Sequence, residues 1–339
     1  MSKKLPILFL LLIGIFFSYK QFLEYSSLQK DGSIIVKDGY NINKIINEMK
    51  KNDYIKSERF TRYYYYFYTK LLYGKKITIL SGEYEIKNGQ LFNKIIQNFI
   101  DKKVISRKIT IPEGLMVVEI IKLINNEDCL YGEKLSKENI NTPEGYLMPD
   151  TYYFSCGDSK TSIINRMKNS MDEYLSSVWD DRDINLMAKA IIDKYDAIIL
   201  ASIIEREGKD KDELKLISSV IHNRLKKRMR IQSCATVEYE ITRGEYKLPR
   251  VIKIDDIDLK GDFNTYQIYG LPKTAISCPG RNAIYATLHP DNNDYLFFML
   301  QPDLIHHKFS KDFEQHKRNK FNSINTRNKM NIKNERVAG

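Results

Sequence analysis

Apolar positions in this chain fall into three patterns: an unbroken run near the N-terminus, short helical stripes through the first half, and a long run near residue 200. Leu5–Tyr19 (LPILFLLLIGIFFSY) follows Lys3 and Lys4 and precedes Lys20. The run is short for a spanning helix, for which about 17–25 residues is usual. Snorkelling lysines and Tyr19 make up the length. A cleaved signal peptide has the same layout, but no small-x-small site follows in Ser18–Tyr25, which favours an uncleaved signal anchor. The leading lysines place the N-terminus in the cytoplasm and the rest of the chain outside it.

Ser33–Val36 reads as a strand, and Asn41–Lys50 as a helix with Ile42, Ile45, Ile46 and Met49 on one face. The tyrosine-rich stretch Arg62–Thr69 belongs to a second helix, where ring packing is the plain reading and a sugar platform the alternative. Alternation over Ile77–Ile86 suggests strands, Leu91–Phe99 a helix, Lys108–Ile111 a strand and Met116–Asn125 a helix. Strand-then-helix at 33–50 and again at 108–125 hints at a weak internal repeat. Helices are predicted over Ser162–Val178, Asp183–Lys194 and Asp212–Arg228, the last capped by Asp212. Thr142–Phe154 (TPEGYLMPDTYYF) is turn-rich and aromatic. The mixture is an α+β class.

The length of 339 residues allows about two domains beyond any anchor. A net charge of +11 raises nucleic acid, an anionic membrane or an acidic polymer as partners. The lysines are dispersed among many Ile, Asn and Tyr residues, so compositional bias explains them better, and nucleic-acid binding is not expected. Cys129, Cys156, Cys234 and Cys278 suit an oxidising compartment, lack CxxC spacing and leave the pairing open. His222, His289, His306, His307 and His316 have no metal-type spacing except the adjacent and geometrically poor pair 306–307, so they read as structural or surface residues and no metal is expected.

The run Asp196–Gly208 (DAIILASIIEREG) reads as a buried helix stopped by glycine. Glu205 falls near its C-terminus among isoleucines, where the helix dipole and burial both disfavour the charged form. A carboxyl group that keeps its proton near neutral pH is suited to general-acid chemistry. Glu207, two residues on, is the alternative.

The blocks Ala201–Glu207, Val220–Leu225, Met229–Ser233, Ala235–Tyr239, Phe263–Tyr266, Gly270–Pro272, Pro279-Gly280 and His289-Pro290 resemble the endolytic murein transglycosylase family. So do Ile111–Gly114 and Pro143–Thr151, and the likeness runs from the anchor to about Lys317. The resemblance implies residues 1–24 as cytoplasmic tip and transmembrane anchor, 25–105 as a LysM-like domain and 106–325 as a larger mixed α+β catalytic domain; residues 326–339 read by their composition as a polar, frayed tail. It implies a single-pass protein of the inner membrane, with the catalytic part in the periplasm, acting on peptidoglycan glycan strands beside cell-wall synthases. Glu205 would be the catalytic acid, cutting between N-acetylmuramic acid and N-acetylglucosamine to leave a 1,6-anhydro end, with no cofactor. Gln232, Thr236, Asn264 and Tyr266 would contact the sugar, with Glu144 and Tyr146 bordering the cleft, although turn and cap roles compete for these positions. Small Ala201 and Ser202 would leave room for a sugar, and Asn223 and Arg224 would brace the 212–228 helix against the catalytic segment. Cys234 and Cys278 depart from the family pattern and suggest a disulfide with each other; Gln301–His306 replaces a glycine-rich turn. A hydrolytic muramidase and a non-catalytic peptidoglycan-binding anchor are the alternatives.

Overall fold

The computed structural model describes residues 15, 17–37, 39–74 and 78–337. Most of the apolar run at Leu5–Tyr19 lies outside these. Among the described residues no helix is long and apolar enough to cross a membrane. The chain divides into two compact units.

The first unit comprises residues 1–109 with 127–133 and 153–160. Residues 17–26 form helix α1. Strand β1 (Gly32–Val36) pairs antiparallel with β2 (Gly82–Ile86), Gly32 opposite Ile86 and Val36 opposite Gly82. Two helices, α2 (Ile42–Lys51) and α3 (Glu58–Tyr73), lie between them in sequence, giving the order βααβ before α4 (Phe92–Ile100). Asn41 caps α2 by accepting the Lys44 N–H, and its buried stripe is Ile45, Ile46 and Met49. Ser57 caps α3, which Gly74 stops in the left-handed region at φ 60°. The tyrosines of α3 divide: Tyr65 is buried, while Tyr63, Tyr66 and Phe67 are exposed. In the core, Tyr84 meets Phe99 edge to face with ring centroids 4.7 Å apart. Cys129 and Cys156 form a disulfide that joins the two outlying segments of this unit. Glu83 lies close to both sulfurs, but a disulfide has no thiolate with which to hold a metal.

The second unit holds the remaining residues. Strands β3 (Arg107–Thr110) and β4 (Thr151–Phe154) carry the chain across the division. Its helices are α5 (Val117–Asn125), α6 (Lys137–Ile140), α7 (Lys160–Trp179), α8 (Lys194–Glu207), α9 (Leu214–Lys226), α10 (Cys234–Thr242), α11 (Arg281–Leu288) and α12 (Phe313–Val337). Helix α8 is the centre of the core, because every residue from Ala197 to Ile204 is buried. Each fully buried isoleucine there contributes about 1.5–3 kcal/mol relative to exposure. α7 contributes Met171 and Leu175 to the same core, and α11 contributes Ala283, Ile284 and Leu288.

Several sequence expectations shift. Residues 183–193 form turns rather than a helix. Helix formation begins only at Lys194, where Asp193 accepts the N–H groups of Tyr195 and Asp196. Upstream, the Ala188 N–H is taken by the His222 ring at 3.0 Å, which holds the backbone in an irregular path. Asp212 does not cap α9; Asp210 accepts its N–H in a 3-10 turn (Lys211–Glu213) that leads into the helix. The segment Gln301–His306 closes a hairpin between β5 (Phe297–Leu300) and β6 (His307–Ser310), with Asp303 accepting the N–H groups of Ile305 and His306. The polar stretch after residue 325 continues α12 to Val337. Cys234 is exposed and Cys278 buried, both as free thiols, so the Cys234–Cys278 disulfide does not form.

Candidate active site

Glu205 is half-buried at the end of α8. Its Oε2 accepts a hydrogen bond from the Gly280 N–H at 2.9 Å. Gly280 is the residue that caps the N-terminus of α11. The carboxyl group therefore lies between the negative end of its own helix and the positive end of another. Burial dominates and pushes it up to about 6 from an ordinary 4.5. The Gly280 amide opposes that rise, Glu113 adds to it, and Lys211 lowers it. A carboxylic acid poised in this range can give a proton and take one back near neutral pH.

Small residues one turn earlier explain how Gly280 arrives there. Ala201 and Ser202 are fully buried. The Ser202 hydroxyl accepts the Ile276 N–H at 3.0 Å and donates to the Ile199 carbonyl at 2.7 Å. The Ser277 hydroxyl donates to the Ser202 carbonyl at 3.2 Å. The space expected for a sugar is filled by residues 275–277, which lie against α8 and deliver Gly280 to Glu205. A second segment joins the first: Gly114 N–H donates to the Cys278 carbonyl at 2.9 Å, and Cys278 N–H to the Leu115 carbonyl at 2.7 Å. The turn Pro112-Glu113-Gly114 is thereby held beside the acid.

Glu207 occupies a different environment. It accepts a short hydrogen bond from the Ser233 hydroxyl, and burial pushes it above its ordinary value. It lines a cavity of about 350 Å³ with Gln232, Cys234, Tyr266, Arg224 and His307. Gln232, in the left-handed region at φ 59°, is exposed there. Its side-chain oxygen accepts from Arg224 at 3.3 Å. The Tyr266 hydroxyl is 3.4 Å from the Cys234 sulfur. Arg224 also binds the carbonyls of Leu296 and Ile231, each at 2.6 Å, and Asn223 those of Asn293 and Tyr295. These two side chains brace α9 against the β5 approach.

The remaining expected contacts are placed elsewhere. Thr236 is fully buried, its hydroxyl donating to Ser233 and meeting Thr265. Asn264 is also fully buried and donates to the carbonyls of Ile257 and Leu259. Both side chains are engaged in holding loops, and neither presents an atom to solvent. Glu144 borders a separate cavity of about 330 Å³ with Lys137, Tyr239, Arg243 and Lys273. Burial pushes it up to about 7, although it accepts the Val117 N–H at 2.7 Å. The Tyr146 hydroxyl donates to Asp172 at 2.5 Å. His222 is locked between Ala188 N–H and the Thr287 carbonyl, and burial pulls it down to about 4, so it is neutral and structural. Sequence reasoning did not assign Gly280 or Glu113 to the site. Their only local signals are the Pro-Gly and Pro-Glu-Gly turns, which say nothing about a partner far along the chain.

Comparison with known proteins shows which family the chain resembles. A model of the YceG-like family matches residues 34–322. The endolytic murein transglycosylase of Bacillus subtilis (strain 168) is 30% identical over 343 residues, spanning 91% of this chain and 90% of its own. The endolytic murein transglycosylase of Streptococcus pneumoniae (strain D39) is 28% identical over 182 residues, 52% of this chain and 31% of its own. A crystal structure of a yceG-like protein from Listeria monocytogenes matches with a TM-score of 0.50 at 24% identity, over 86% of this chain and 99% of that one.

Proposed function

This chain belongs to the YceG-like family, and from that membership we propose that it is an endolytic murein transglycosylase with Glu205 as its acid and base. The observation that carries the assignment is a half-buried carboxyl group, raised to about 6, with one oxygen fixed by the Gly280 amide. The protonated group gives its hydrogen to the glycosidic oxygen between N-acetylmuramic acid and N-acetylglucosamine, and the C1–O bond breaks. The carboxylate then removes the proton of the muramic C6 hydroxyl as O6 bonds to C1 and closes a 1,6-anhydro ring. No water is consumed, and Glu205 ends protonated, as it began. Ordinary glycosidases use two carboxylates; here the nucleophile is tethered within the substrate, and intramolecular attack of that kind is strongly favoured. The Gly280 amide supports the carboxylate stage and burial the protonated stage.

Glu207 is a second reading for the acid. It lines the same cavity as Gln232 and Tyr266, whereas Glu205 is not among the residues lining that cavity. Mass spectrometry of glycan strands digested by wild type, Glu205→Gln and Glu207→Gln separates the readings. Anhydro-muramic ends that vanish only with Glu205→Gln support the first. Loss only with Glu207→Gln moves the acid, hydrated reducing ends indicate a muramidase, and no cutting by wild type indicates a peptidoglycan-binding anchor.

The remaining assignments extend this reading. The apolar run at Leu5–Tyr19 anchors the protein in the cytoplasmic membrane in a single pass, with both described units outside the cytoplasm. Residues 25–105 serve as a LysM-like part; the βααβ order and a groove of about 830 Å³ lined by Tyr40, Asn43, Tyr66 and Lys70 support a glycan contact there. Cell-wall synthases are the partners expected beside nascent strands.

A further inference from the structure

We propose that Glu113 is a positioning residue for the reaction: seated against Gly280 and tethered by Lys211, its carboxyl group stands beside Glu205 and sets how readily that acid parts with its proton. The inference rests on the reading of Glu205 as the acid.

The geometry centres on one glycine. The Gly280 amide holds Oε2 of Glu205 at 2.9 Å. A methyl group added to the same residue would lie 2.0 Å from Oε1 of Glu113, so the Glu113 carboxyl group packs on the bare Cα. The turn that carries Glu113 is itself fixed. Its Gly114 and Leu115 exchange backbone hydrogen bonds with Cys278, two residues before Gly280. Gly114, at φ 77°, passes so close that a side chain there would touch Cγ of Glu205 at 3.6 Å. Lys211 reaches the opposite Glu113 oxygen at 3.1 Å. The two carboxyl groups thus share one glycine, with Lys211 bound to the outer member.

The charged groups gathered here come from each neighbouring element. Glu113 arrives on the turn before α5, Lys211 on the turn before α9, and Arg206 on α8 itself. Arg206 is committed to Glu238 at 2.7 Å. The acid must be protonated for bond cleavage and ionised for the ring closure that follows. A like charge favours the first state, whereas the Gly280 amide and Lys211 favour the second. Burial does most to retain the proton, and Glu113 adds to it.

The test is carbon-13 NMR titration of Glu205 in the full chain labelled in its glutamate side chains, assigned by Glu205→Gln. Glu113→Gln should lower the Glu205 midpoint by about half a unit. Lys211→Met, a change at an exposed side chain, should raise it. The basic limb of kcat/KM on glycan strands should move the same way, so Glu113→Gln leaves about threefold less protonated acid at pH 7. An unchanged Glu205 midpoint in both folded variants overturns the inference. A midpoint that moves while the kcat/KM limb stays fixed keeps the Glu113–Glu205 coupling but removes Glu205 as the acid.

Discussion

Gly280 donates its backbone N–H to Glu205 at 2.9 Å, and this bond joins the last turn of α8 to the first turn of α11. The two residues lie 75 positions apart. One end of the bond is the candidate acid. The other is a position where the Glu113 side chain occupies the space a side chain would take.

Gly280→Ala tests that closeness. The new methyl group would fall on Oε1 and Cδ of Glu113, at 2.0 and 2.4 Å. The Gly280 φ of −79° is open to alanine, so the backbone is not strained. Glu113 is long enough to swing aside, and the expected stability loss is under about 1 kcal/mol. The Glu205 midpoint should fall, as in Glu113→Gln, because the same neighbouring charge is displaced. Thermal unfolding together with the NMR titration reads both effects.

The folded-state value of Glu205 makes stability depend on pH in a defined window. It is raised from 4.5 to about 6, so the folded chain holds a proton that the unfolded chain releases. Its contribution is unpenalised below pH 4.5 and declines as pH rises from there through about 6. Glu205→Gln removes the penalty, about 1–2 kcal/mol above that window. The variant should melt above wild type at pH 8, and the difference should close by pH 4. Glu144, raised to about 7, contributes a loss of the same sign that extends to higher pH.

Ser202→Ala separates support from chemistry. The Ser202 hydroxyl is a buried acceptor for the Ile276 N–H. Without it that N–H is left unpaired, at about 1–3 kcal/mol. Residues 275–280 should loosen, so kcat should fall although no group near the substrate has changed. Denaturant unfolding and steady-state kinetics on glycan strands check the two parts.

Thiol counting tests the cysteine assignment. Iodoacetamide should label Cys234 in the native protein, Cys278 only after unfolding, and Cys129 and Cys156 only after reduction. Replacing Cys129 and Cys156 by serine should destabilise the first unit by about 2–4 kcal/mol. Labelling of Cys129 or Cys156 without reduction, located by peptide mass spectrometry, would contradict the pairing.

Cysteine chemistry also shows where sequence reading fails. Cys234 and Cys278 stand in matching blocks, which invites pairing, yet one lies at an exposed helix start and the other in the core. The family likeness gives their order along the chain and not their separation in space. Asp183–Lys194 fails for a related reason. Its apolar residues fit a helical period, but the His222 side chain captures the Ala188 N–H, and a distant residue overrides local propensity.

What the sequence determined by itself was local. The spacing of Ile45, Ile46 and Met49 fixed the inner face of α2, and the apolar run ending at Gly208 placed Glu205 at the C-terminus of a buried helix. Helical period, caps and end-of-helix electrostatics act within a few residues, so they can be read from a few residues. Only the tertiary structure decided what meets Glu205. The Gly280 amide, the Glu113 carboxyl group and the filling of the space beside Ser202 depend on segments far apart in the chain. Such contacts are selected by how whole elements pack, and no periodicity in the sequence records that choice.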